Sequence, residues 1–101
     1  MTDYASISRF LDRISRQLLE VNKKVFRDTG SAPKLVVYIP KTSFDLVVGD
    51  TYLLSTETST IRDTELLQEQ SIIGYPIIVT EDRDEELLSY TIGQILYSNH
   101  Q

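Results

Sequence analysis

From residue 4 to residue 27, Ile7, Leu11, Ile14, Leu18, Val21 and Val25 recur at spacings of four, three, four, three and four. At about 100° per residue they form one apolar stripe, widened by Phe10, and Arg9, Arg13, Arg16, Glu20, Lys23 and Arg27 fall on the opposite side. The pattern predicts a long amphipathic helix over about residues 4–28. Thr2 or Asp3 can cap it, and Thr29-Gly30 supplies a stop, because glycine accepts the left-handed backbone that often closes a helix. The same spacing satisfies a heptad over about three repeats, the pattern of a coiled-coil helix. The stretches that follow are apolar enough to need a cover, so the helix is expected to roof its own sheet.

Those stretches are PKLVVYIPKTSFDLVV and SIIGYPIIVTED. Uninterrupted apolar runs of this length read as strands buried on both faces, placed side by side at the centre of a small sheet. The first strand is expected over 35–39, ended by Pro40, which offers no donor to a ladder. Thr42 or Ser43 then caps a short helix through Val48, closed by Gly49. Residues 52–54 read as a brief strand, 55–60 (STETST) as an exposed polar loop, and 63–70 as a second short helix with Leu66 and Leu67 pointing inward. Pro76 stands at the start of a strand over 77–79. The run EDRDEE over 81–86 reads as a charged turn. Residues 87–97 read as a closing strand in which Gly93 marks a bulge or a close approach of backbone. The predicted architecture is a single α+β domain: a small mixed sheet under a long N-terminal helix, with short helices in the connections.

Charge divides the chain. Residues 1–28 hold six basic and four acidic side chains, whereas 29–101 hold four basic and eleven acidic ones. The net charge of -5 opposes general binding to nucleic acid or anionic membranes. No apolar run approaches the roughly 20 residues that a membrane-spanning helix needs. The start MTDYASISRF lacks the basic and apolar blocks of a signal peptide. The chain contains no cysteine, which removes disulfides, thiol nucleophiles and zinc–thiolate sites and fits a cytoplasmic protein best.

Little in the 101 residues suggests catalysis. His100 is the sole histidine and sits beside the chain end, a poor place for a general base. The acidic run lacks the glycine and the spaced terminal glutamate of a calcium-binding loop. Gly30, Gly49, Gly74 and Gly93 are scattered singly, so no glycine-rich phosphate cradle exists. No serine sits in a nucleophile elbow. Lys41 beside Thr42 suggests an anion site at a helix start, but a surface lysine next to a cap is the simpler reading. No catalytic residue, metal site or cofactor is expected.

The order helix, LVVYIPKTSFDLV, variable middle, SIIGYPIIVTED, last strand resembles the axial domain of tailed-bacteriophage major capsid proteins. The matching residues are Ile39-Pro40, Phe44, Leu46 and the run from Ile72 to Val79 with Gly74 and Pro76. The resemblance spans about residues 8–97. It implies a stand-alone relative of one capsid domain that meets its copies through loops, without catalysis, in a host cytoplasm or a virion. The variable, axis-facing region would correspond to residues 49–70. A full capsid subunit also has a spine helix, a peripheral domain and an extended arm, for which 101 residues leave no room.

The expected function is therefore a non-enzymatic protein–protein interaction or assembly module. The alternative is a small acidic regulator or inhibitor of a host enzyme or nucleic-acid-binding protein. The expected interface is the basic face at Arg9, Arg13 and Arg16, with the acidic loop at Glu81, Asp82, Asp84 and Glu85 and the STETST loop as further surfaces. Two unlike patches on one molecule suit a head-to-tail homo-oligomer.

Overall fold

The stripe and its breaker set the first element. In the computed structural model, which describes residues 4–54, 64–81 and 88–94, helix α1 spans Tyr4–Thr29. It ends as glycine permits: Gly30 takes φ +77° and its N–H donates to the carbonyl of Phe26 at 2.7 Å. The Thr29 hydroxyl adds a bond to the Val25 carbonyl, also at 2.7 Å.

Strand β1 (Leu35–Pro40) follows and runs directly into α2 (Lys41–Leu54). A π-helical turn (Glu65–Glu69) precedes β2 (Ser71–Ile72), β3 (Tyr75–Thr80) and β4 (Thr91–Gln94). The sheet order is β2-β3-β1-β4. Strands β1 and β3 pair in parallel, Val37 opposite Ile77 and Tyr38 opposite Ile78. Strand β4 is antiparallel to β1, with Val36 opposite Gly93. The two apolar runs thus form the central pair of an α+β fold, as their composition predicts.

Side-chain alternation assigns the two faces. Leu35, Val37, Ile39 and Ile77 join Ile7, Phe10, Leu11, Ile14 and Leu18 of α1 and Val47 of α2 in one buried cluster. Both helices therefore lie on the same side of the sheet. Two hydrogen bonds hold α1 by its flanks. Asn22 donates its amide to the Tyr75 hydroxyl of β3, and the Tyr90 hydroxyl donates to Gln17 Oε1. The Tyr90 ring meets Phe10 edge-on at 5.7 Å.

Five expectations need correction. The central strands are not alike: Val36, on the face away from α1, is 1% exposed, but Ile78 on the same face is 45% exposed. Of the two, only β1 is buried on both faces: it lies between β3 and β4, which together pair with every one of its residues, whereas the far side of β3 has only the two residues of β2. Gly49 does not close α2, which runs through it to Leu54. A lone helical glycine costs only about 1 kcal/mol, so the predicted strand over 52–54 is instead the last turn of α2. Thr42 and Ser43 lie inside that helix rather than capping it, and the Ser43 hydroxyl accepts the N–H of Ser89 at 3.2 Å. Finally, SIIGYP is a hairpin: Ile72 pairs with Tyr75 across a turn at Ile73 and Gly74. The STETST loop lies outside the described residues.

Candidate functional site

Arg9, Arg13 and Arg16 follow each other at spacings of four and three, so α1 sets them in one row about 10 Å long. All three are exposed, with Glu20, Lys23 and Arg27 continuing the same face. The row is held rigidly, since the opposite stripe (Ile7, Leu11, Ile14, Leu18) is at most 1% exposed and both flanks of the helix are bonded to the rest of the fold. Arg9 donates to Ser6 Oγ at 3.4 Å, one turn back. Arg13 and Arg16 make no ion pair or hydrogen bond with another described residue. The chain therefore presents two guanidinium groups that no ion pair or hydrogen bond to a described residue holds, with the exposed Asp12 and Glu20 one turn either side of Arg16.

The acidic half of the expected interface is visible only in part. Glu81 is exposed just beyond the last residue of β3, whereas Asp82, Asp84 and Glu85 lie outside the described residues. The ion pair between Lys41 and Asp45 joins α2 to itself at 2.8 Å, with both side chains more than half exposed, and such pairs contribute little.

Two features escaped the sequence reading. Leu19 and Phe26 of α1 are 58% and 55% exposed. They stand seven residues apart on the flank of the basic row, a position readable at about 100° per residue once the core stripe is fixed. The second feature is a pair of cavities beside β4. One, of about 580 Å³, lies between α1 and β4 and is bordered by Arg13, Gln17, Val21, Tyr90, Ile92 and Gln94. The other, of about 330 Å³, lies at the carboxyl ends of β1 and β3 and is lined by Tyr38, Pro40, Thr80, Glu81, Ser89 and Tyr90. No sequence pattern announces it, because its walls come from three separate segments.

Among the described residues no three of His, Cys, Asp or Glu converge as a metal site requires, and no helix is long and apolar enough to cross a membrane. No family model, curated protein or solved structure matches this chain.

Proposed function

We propose that this chain is a non-enzymatic assembly module that docks the outer face of α1 on an acidic protein surface, in the first instance that of a second copy. One observation carries the reading: Arg9, Arg13 and Arg16 share an exposed, rigid face, and the latter two have no partner among the described residues. Arginine is favoured at protein interfaces because its planar fork binds carboxylates in two places and sheds water more easily than an ammonium. Leu19 and Phe26 on the flank add the apolar area that a purely electrostatic contact lacks. The acidic surface is available in kind, since residues 29–101 carry the excess of Asp and Glu. The resemblance to capsid axial domains implies the same use of a small domain, and the place of work is then the cytoplasm of a host cell or a virion.

The test is a dilution series followed by amide NMR at low salt. The reading expects concentration-dependent shifts at Arg9, Arg13 and Arg16 that fade as salt is added. Spectra that stay unchanged across the series would overturn self-docking through this face.

A further inference from the structure

The buried stripe does not exhaust the periodicity of α1. A second set, Arg9, Asp12, Arg16, Leu19, Lys23 and Phe26, recurs at spacings of three, four, three, four and three, the repeat of a coiled-coil seam. At about 100° per residue it runs along the side of the helix turned away from the sheet, and all six residues are exposed. Leu19 and Phe26 are its two large apolar members. Single exposed apolar residues are ordinary. Two of them set into a charged seam of this period make a face that fits another helix.

The order of residues along the seam says which helix. Turned end for end about the level of Gln17 and Leu18, the seam meets its own complement. Arg9 then lies over the ring of Phe26, Asp12 faces Lys23, and the stem of Arg16 packs on Leu19. A two-fold axis gives each pairing twice. On one flank, Glu20 comes level with Arg13 of the second copy to within about 3 Å along the axis. The other flank carries Ser8, Ser15 and Asn22, which add no charge. A parallel copy would instead set Arg9, Asp12 and Lys23 each against its own like, which is repulsive. No residue outside α1 enters the match.

We propose that two copies of the chain pair through the outer faces of α1, antiparallel, in a two-fold dimer. The inference rests on the self-docking read above and names what the second copy presents: the carboxylates of Asp12 and Glu20 and the ring of Phe26, rather than an acidic surface from residues 29–101. With two large apolar side chains per copy over a seam about 25 Å long, the dimer is weak and salt-sensitive.

Charge reversal tests the register. Asp12→Lys and Lys23→Asp should each weaken dimerisation about tenfold in a dilution series, with melting temperatures close to the parent's because both positions are exposed. The variant carrying both changes should recover the parent's affinity, as should an equimolar mixture of the two single variants. Docking of the basic face on an acidic surface elsewhere gives another pattern: Asp12→Lys tightens association, and the double variant recovers nothing. That pattern overturns the antiparallel pairing and keeps self-docking. Because the chain has no cysteine, a nitroxide on Arg27→Cys then locates the partner helix. Mixed with isotope-labelled natural chain, it should broaden the amides of residues 6–12. Broadening centred on residues 23–29, or absent from α1, overturns the inference, while dilution shifts at the arginines would still uphold self-docking. A chain that shows neither broadening nor dilution shifts loses both.

Discussion

Ile73 holds the backbone at φ +42° and Gly74 follows at φ +85°. Both central residues of the β2–β3 turn thus have positive φ, which a β-branched side chain resists. The Glu65 carboxylate compensates from the π-helical turn, accepting the N–H of Ile73 at 2.8 Å and of Gly74 at 2.6 Å. Ile73→Asn installs the residue such turns favour and should raise stability by about 1 kcal/mol, read as a higher midpoint in urea with an unchanged slope. Gly93 shows the opposite constraint. A Cβ there would lie 2.7 Å from Tyr38 Cε2 and 3.5 Å from Val36 Cγ1, so the Tyr38 ring occupies the place of the missing side chain. Gly93→Ala should cost about 1–3 kcal/mol, and the penalty should shrink in a Tyr38→Ala background. Equal penalties in both backgrounds would mean that the ring is not what excludes the methyl. The isolated glycine in SYTIGQILY already signalled close approach, but the partner ring is set by cross-strand register, which the sequence does not print. The turn was missed for a similar reason: isoleucine is a poor marker of positive φ, and the stabilising carboxylate lies eight residues away.

At the scale of elements, α1 joins recognition to stability through its two faces. Leu18→Ala on the buried stripe should cost about 2–5 kcal/mol, whereas Leu19→Ala, one residue on and 58% exposed, should change stability by less than about 0.5 kcal/mol. Thermal denaturation of the two variants checks this division. In α2, Gly49 has nothing within 4 Å of a notional Cβ and lies in an exposed helical position. Gly49→Ala should therefore stabilise the chain by about 1 kcal/mol. A loss of stability would show that α2 does not continue through this position. The extent of α1 was legible because its apolar period repeats over about five turns. The extent of α2 was not, since a Gly after a short apolar run marks a helix end as readily as a helix interior.

For the whole molecule, the layer order follows from where apolar residues run unbroken: β1 and β3 at the centre, α1 and α2 on one side. The open side is what the pattern conceals. A run such as YPIIV looks the same whether the alternate residues meet a second layer or, like Ile78, remain 45% exposed. The arginine row was readable because a single helix builds it. The cavity with Ser89 was not, because β1, the end of β3 and the segment before β4 meet only after folding.

Molar mass by light scattering, compared between the natural chain and an Arg9→Glu, Arg13→Glu, Arg16→Glu variant, puts the α1 surface to the most direct trial. Because the three side chains project from the exposed face, the variant should melt close to the parent. The account predicts an oligomer at low salt that dissociates at high salt and never forms in the variant. A natural chain that is monomeric under both conditions, or a charge-reversed chain that assembles as well as its parent, would contradict it.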